Sequence, residues 1–220
     1  MSEREKRRRL NQIESEYENC ELCPALCASR KSVVMGSGSP LSKVVLVGPA
    51  PDASCEVSGL AVAGKERKLL ASLLKALKIA PEDVYYTNAV LCKPPGTRSP
   101  SRKETKACFT RLSKEIEVID PLVVVILGNE AAKALSGPSL RGSFYAWATN
   151  TTFPYSTAVT KGVRMPVERN AIVTFSLREI INKYSVELKR DTPTYWLYLS
   201  IGRAIALSKE YTKILGVQNE

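Results

Sequence analysis

VYYTNAVLCKPPGTRSPSRKETKAC, residues 84–108, contains a strand, a turn and the start of a helix in immediate succession. The β-branched and aromatic residues of Val84–Val90 predict a buried strand. Pro94-Pro95-Gly96 ends it, because neither a strand nor a helix continues through that triplet. Ser101 and Glu104 have the spacing of a capping box, which predicts that a helix begins immediately after the serine.

Three more apolar runs predict buried strands, at residues 43–47, 122–127 and 171–174. Helices are predicted at residues 65–78, 102–118 and 129–135, and after the capping box that opens at Ser176 towards residue 189. This alternation predicts an α/β fold, a parallel central sheet with helices on both faces. Ligands of such sheets bind at the carboxyl ends of the strands, so the loops after Val47, Val90, Leu127 and Thr174 form the candidate site.

The chain divides into three predicted parts. Residues 1–19 are a basic N-terminal helix or arm, residues 20–190 are the α/β domain, and residues 191–220 are a helical extension. Residues 136–167 are predicted to be irregular. The apolar residues of the extension, Trp196 among them, predict that it docks on the domain or on a partner.

Composition narrows the function classes. A length of 220 residues favours one domain, and a formal net charge of +10 favours a polyanionic partner. The chain has no histidine, which excludes the commonest general acid–base group. Six cysteines without a signal-peptide pattern or a membrane-length apolar run predict a protein of a reducing compartment, cytoplasmic or nucleoid-associated.

Four of the cysteines predict one metal site. Cys20 and Cys23 form a Cys-x2-Cys, and Cys92 and Cys108 flank the proline turn. Four thiolates suit either an iron–sulfur cluster or zinc, and buried cysteines without a metal are the remaining alternative. Cys27 has a plausible ligand spacing too and is predicted to be a spare thiol.

The sequence around the turn resembles the iron–sulfur uracil-DNA glycosylases, families four and five. The resemblance covers residues 17–180. It is carried by Thr87-Asn88-Ala89-Val90-x-Cys92-x-Pro94-Pro95-Gly96-x-Arg98-x-Pro100, Cys108, Cys20-x2-Cys23, Leu127-Gly128-x-x-Ala131 and Arg141-Gly142. It implies a uracil-DNA-glycosylase-like fold in which Cys20, Cys23, Cys92 and Cys108 hold a [4Fe–4S] cluster, with zinc as the alternative.

The resemblance also implies a base pocket, from which this chain departs at most positions. Pro49 stands where family four has an acidic residue, and family five's acid falls near Lys65. Val62 stands in the place of the base-stacking phenylalanine, and Ser176 in the place of the histidine that supports the leaving base. Asn88, which reads the uracil edge in the family, is retained.

A retained cysteine set beside a depleted pocket predicts a DNA-binding protein that is catalytically inactive or nearly so. Its role would be that of a DNA-binding or interaction subunit in DNA replication or repair. The predicted phosphate contacts surround the cysteine turn: Lys93, Arg98, Arg102, Lys103 and Lys106.

Two alternatives remain open at this level. One is an active, divergent DNA glycosylase that removes uracil or another deaminated base, with Asp52, Glu56 or Glu66 positioning a water and Asn88 orienting the base. The other is a protein-interaction module that contacts a replication or repair protein through residues 191–220.

Overall fold

The computed structural model describes residues 1–136, 152–155 and 169–214. The helices of these residues are α1 (Glu3–Tyr17), α2 (Pro24–Cys27), α3 (Ala53–Ser58), α4 (Gly64–Ala76), α5 (Arg102–Ile119), α6 (Asn129–Ser136), α7 (Leu177–Lys183) and α8 (Pro193–Ile214). The strands are β1 (Ser37–Gly38), β2 (Val44–Gly48), β3 (Val84–Asn88), β4 (Val123–Leu127), β5 (Thr152–Tyr155) and β6 (Arg169–Thr174). The Arg141-Gly142 part of the resemblance lies outside the described residues.

The strands form one six-stranded sheet in the order β1-β3-β2-β4-β6-β5. The four central strands run parallel, which confirms the predicted architecture. Both edges are antiparallel, with β1 on β3 and β5 on β6. Neither edge strand was predicted, because β1 has only two residues and β5 lies in a stretch that reads as irregular.

Helices cover both faces of the sheet, so the fold is a three-layer α/β/α sandwich. On one face α4, α7 and α8 pack against alternate strand residues that include Leu46 and Val125. On the other face α5 and α6 pack against the intervening residues, such as Val47 and Ile126. The strict alternation of the two sets follows from the two-residue period of a strand.

The C-terminal helix α8 docks on the domain itself. Leu197, Ile201 and Ala204 are fully buried in the same core as Leu46 and Leu70. Most of the apolar residues that predicted docking are therefore used within the chain. None of the helices in the described parts of the chain combines the length and apolarity needed to span a bilayer.

The N-terminal segment is a helix that packs on α5. The buried Lys6 donates from Nζ to the Ile119 carbonyl oxygen at 2.6 Å, and Ile13 is buried below it. Three arginines of the basic cluster pair with glutamates of the same helix: Arg7 with Glu3, and Arg8 and Arg9 with Glu5. Much of the positive charge of this segment is therefore neutralised locally.

The strand register brings four loops to one edge of the sheet. Gly48 lies opposite Asn88, and Leu127 lies opposite Thr174, so the carboxyl ends of the parallel strands are level. Gly128 has a φ of +90°, and a Cβ there would lie 2.9 Å from the Ser176 Cβ, so only glycine lets the loops after β4 and β6 approach so closely.

Candidate functional site

The four predicted metal ligands come from four places in the chain and lie in neighbouring elements. Cys20 follows α1, Cys23 precedes α2, Cys92 lies beyond β3, and Cys108 is on α5. The last three are buried and Cys20 is partly buried. The N-terminal Cys-x2-Cys is thus brought to the proline turn by the packing of α1 on α5.

The donor set consists of four cysteine sulfurs, a set that suits either an iron–sulfur cluster or zinc. Burial, followed by the neighbouring thiols of Cys108, Cys92 and Cys20, raises the pKa of Cys23 to about 12, so all four sulfurs are within electrostatic reach. Yet in the described residues no group of three or more histidine, cysteine or acidic side chains is arranged to hold one metal ion.

Arg30 is a cation that sequence reasoning missed at this site. Its Nη1 lies 2.6 Å from the Cys20 carbonyl oxygen, 3.3 Å from Cys92 Sγ and 3.4 Å from Cys27 Sγ. A guanidinium in this position stabilises thiolates by charge-assisted hydrogen bonds. Cys27 donates to the Cys20 carbonyl oxygen at 3.4 Å, and its role as a spare thiol stays a prediction.

The proline turn next to the cysteines is held by an ion pair. Arg98 contacts Glu104 through both η nitrogens, at 2.8 and 2.6 Å, and Glu104 also accepts from the Ser101 backbone N–H. The Arg98 guanidinium, with Ser101, lowers the pKa of Glu104 to about 2. Arg98 was predicted to contact phosphate, but much of its charge is offset within the turn.

The other predicted phosphate contacts differ in exposure. Arg102, Lys103 and Lys106 are exposed on the first turns of α5 and have no ion-pair partner among the described residues. Lys93 is half-buried and donates to the Pro94 carbonyl oxygen at 3.2 Å. The three exposed cations at a helix N-terminus form a surface suited to phosphate, here called the α5 basic surface.

A mostly buried ion pair lies at the carboxyl edge of the sheet, where the pocket was predicted. Arg178 on α7 donates from Nε to Glu66 Oε1 at 2.8 Å and from Nη2 to the Ala50 carbonyl oxygen at 3.0 Å. The glutamate side chain is 13% exposed and the arginine 33%. Burial raises the pKa of Glu66 and the guanidinium opposes this rise; burial lowers the pKa of Arg178, but the carboxylate raises it overall.

Two side chains of β3, those of Tyr86 and Asn88, end at this carboxyl edge of the sheet. Asn88 donates from Nδ2 to the Ala61 carbonyl oxygen at 2.8 Å, and the Cys55 thiol donates to the same oxygen at 3.6 Å. A Cβ on Gly48 would collide with the Tyr86 hydroxyl and lie 2.6 Å from Asn88 Oδ1. The missing side chain of Gly48 therefore makes room for the ends of both residues.

The remaining pocket candidates are less well placed for chemistry. Val62 is 6% exposed and packs in the core with the leucines of α4. Ser176 caps α7 by accepting from the Glu179 backbone N–H at 3.1 Å. Asp52 caps α3 in the same way, and Glu56 accepts from the Lys31 backbone N–H, outside this group. Pro49 is half-buried at the loop that begins after β2.

A second buried ion pair supports β3 from the opposite face. Arg111 donates to Glu115 Oε2 at 2.6 Å and from Nη2 to the Asn88 carbonyl oxygen at 2.6 Å. Glu115 also accepts from the hydroxyls of Tyr85 and Thr87. This network fixes the backbone at the end of the strand whose side chains enter the pocket.

Sequence reasoning found the edge of the sheet but only part of its chemistry. It named Asn88 and, among three acids, Glu66; it did not assign roles to Arg178 or Tyr86. Arg178 lies two residues from the serine that replaces the family's histidine, and that position was the available signal. Tyr86 carried no signal, because a tyrosine in a strand reads as core.

One family model and several known proteins are similar to this chain. The family model described as the uracil DNA glycosylase superfamily matches residues 35–199. A type-4 uracil-DNA glycosylase of Pyrobaculum aerophilum is 37% identical over 126 residues, an alignment that spans 57% of this chain and 64% of that protein. One of Thermotoga maritima is 36% identical over 148 residues, spanning 64% and 77%. A DNA polymerase of Bacillus phage SP01 is 33% identical over 124 residues, which are 54% of this chain and 13% of the polymerase.

Proposed function

Because the chain belongs to the uracil-DNA glycosylase superfamily, we propose that it binds DNA and hydrolyses the N-glycosidic bond of an extruded, deaminated base. The observation that carries this proposal is the Glu66–Arg178 ion pair beside Asn88, at the carboxyl edge of the sheet. Cleavage of this bond develops positive charge on the sugar and negative charge on the departing base. A carboxylate and a guanidinium in one pocket match that separation of charge.

Each pocket residue has a distinct role in this mechanism. Glu66 would hold and polarise the attacking water, and its negative charge would stabilise the cationic sugar. Arg178 Nη1, which has no partner among the described residues, would donate to the departing base. Asn88 would contact the base edge through Oδ1, because its Nδ2 is used by Ala61.

The ion pair is the reason to prefer an active enzyme over the inactive protein favoured by the sequence. That interpretation rested on Pro49 and Ser176, which replace the family's acid and histidine. Glu66 and Arg178 supply an acid and a cation at the same edge of the sheet. Arg178 lies two residues after Ser176, and Glu66 directly follows Lys65. The names of the relatives, type-4 uracil-DNA glycosylases, also support excision.

We also propose that Cys20, Cys23, Cys92 and Cys108 hold a [4Fe–4S] cluster, which four mutually interacting cysteine sulfurs suit. When bound, the cluster would crosslink the segment after α1 to the proline turn and to α5. Cys108 is on α5, the helix that carries the α5 basic surface. The contribution of the cluster is therefore to the position of the DNA-binding surface.

A second candidate is DNA binding without excision, as part of a replication or repair assembly. Val62 favours it, since a buried valine offers no ring face on which a base can stack. The similarity to part of a phage DNA polymerase also supports a place in replication. A contact with a replication or repair protein through residues 191–220 would have to use the exposed side of α8, such as Leu199.

The deciding experiment is an excision assay on the cluster-loaded protein. Single- and double-stranded oligonucleotides carry uracil, hypoxanthine or xanthine at one position, and binding is followed in parallel. We expect excision that Glu66→Gln lowers by at least about 100-fold, as for loss of a general base. Glu56→Gln is the matched control, because Glu56 contacts Lys31 and not the pocket. Binding without excision of any base would contradict the proposal and support the second candidate.

A further inference from the structure

The Tyr86 hydroxyl, at the end of a buried side chain, has no hydrogen-bond partner in the described part of the chain. The residue is 4% exposed. Burial, and next the Glu66 carboxylate, raise its pKa well above the usual value, so the phenol stays protonated. In the described residues the fully enclosed side-chain atoms without a partner are Arg111 Nε, Ser113 Oγ and Thr174 Oγ1, so the Tyr86 oxygen borders accessible space, where a ligand can accept its hydrogen bond.

The Tyr86 ring packs in the core with Leu46 and Leu70, and its hydroxyl end reaches Gly48 at the carboxyl edge of the sheet. Tyr86 and Asn88 are two residues apart on β3 and therefore project from the same face. Both side chains end at the space left by Gly48, at the level where the parallel strands finish. Glu66 and Arg178 are close enough to influence the pKa of the phenol.

The orientation of the Asn88 amide decides what the pocket still needs. The Ala61 carbonyl oxygen can only accept a hydrogen bond, so the amide must turn its Nδ2 to it and Oδ1 to Gly48. Asn88 thus presents an acceptor to a base. The donor of the same amide, Nδ2, is already used in the hydrogen bond to the Ala61 carbonyl oxygen.

We propose that Tyr86 is a base-contact residue whose hydroxyl supplies the missing donor. The proposal rests on the proposed function, in which Asn88 Oδ1 faces the ring nitrogen of the extruded base. The two residues then read an N–H next to a carbonyl group, the lactam edge that uracil, hypoxanthine and xanthine share. Cytosine and adenine carry the reverse order, an unprotonated ring nitrogen next to an amino group.

The test separates base recognition from hydrolysis by measuring binding alone. Oligonucleotides carry one 2′-fluoro-2′-deoxyuridine or one 2′-fluoro-2′-deoxycytidine, in which fluorine disfavours the cationic sugar and slows cleavage. We expect the wild-type protein to prefer the uridine. Tyr86→Phe should reduce this preference about fivefold to tenfold, the usual effect of one lost hydrogen bond.

The control and a second measurement guard against an effect on folding. Tyr195→Phe removes a hydroxyl from α8, where the ring stacks on Tyr198 away from the pocket, and should leave the preference unchanged. A third oligonucleotide has sulfur, a poor acceptor, in place of the uracil O4. The wild-type protein should bind it more weakly than the uridine, and Tyr86→Phe should not distinguish the two. If Tyr86→Phe does not fold, the wild-type comparison alone decides.

The outcomes distinguish this inference from the proposed function. A preference for the uridine without excision in the earlier assay would contradict the hydrolytic function but support the role of Tyr86. A preference that survives Tyr86→Phe, equal binding of both bases, or a preference for cytidine would overturn the role of Tyr86. Excision can still occur in each of these cases.

Discussion

Arg111 and Glu115 form an ion pair that is completely enclosed between α5 and β3. The two side chains are 0% and 1% exposed, and Nη1 lies 2.6 Å from Oε2. Their partners are hydroxyl and carbonyl groups of β3 and the Gly36 backbone N–H, which donates to Glu115. The pair sits under the strand that carries Tyr86 and Asn88, so it links the stability of the fold to the position of the pocket.

Removing one member of this pair should be strongly destabilising. Glu115→Gln leaves the Arg111 charge buried without a counter-charge, which costs about 3–5 kcal/mol in other proteins. The measurement is the free energy of unfolding from denaturant titration. Glu16→Gln, which breaks the exposed Lys114–Glu16 pair between α5 and α1, is the control and should change stability by less than about 1 kcal/mol. Equal effects of both variants would contradict this account of the buried pair.

The cysteine assignment predicts which substitutions remove the cluster. Cys20→Ser and Cys108→Ser should lose the visible absorbance and most of the bound iron and sulfide, because each removes one ligand. Cys27→Ser and Cys55→Ser should keep both, since Cys27 contacts a backbone carbonyl and Cys55 lies with the base pocket. Zinc in place of iron would support the alternative metal, and loss of the cluster in Cys27→Ser alone would exchange the roles of Cys20 and Cys27.

The α5 basic surface predicts a definite salt dependence of DNA binding. Each phosphate contact contributes about 0.9 to the slope of log affinity against log salt concentration. The triple variant Arg102→Ala, Lys103→Ala, Lys106→Ala should therefore lower that slope by about 2 to 3. Arg98→Ala should change it less, because Arg98 is paired with Glu104. An unchanged slope in the triple variant would remove this surface from the DNA interface.

The pH dependence of excision should follow Glu66. Its carboxylate must be ionised to polarise water, and burial raises its pKa above the usual glutamate range. Activity should therefore be lost as the pH falls through this raised pKa. The Glu66 carboxylate raises the pKa of Arg178, so the guanidinium stays charged, and the chain has no histidine to add a limb near neutrality. A pH–rate profile checks this, and an acid limb that persists in Glu66→Gln would assign it to another group.

Most of the fold was predictable because apolar runs and capping boxes are formed by residues that are close together in sequence. The apolar runs ending at Gly48 and Leu127 became central parallel strands, and the capping boxes at Ser101 and Ser176 both hold in the structure. The predicted ends were less accurate. β3 stops at Asn88 and not at Val90, because the chain leaves the sheet there towards Cys92.

The chemistry of the pocket was less predictable because it depends on pairs distant in sequence. Glu66 and Arg178 are 112 positions apart, and each alone reads as a solvated charge on a helix. Arg111 and Glu115 have the i, i+4 spacing of a surface pair, yet both are buried. Only the packing of the helices on the sheet shows which charges are enclosed.

The position of α8 has a consequence for the order in which the chain folds during synthesis. The core between the sheet and α4 is completed by Leu197, Ile201 and Ala204, which leave the ribosome after every strand of the sheet. The opposite face is covered by α5, which emerges much earlier. A nascent chain halted before Pro193 should therefore have one face of β2 and β4 covered, and the other covered only by α4 and α7, with the part that α8 buries still open to chaperones.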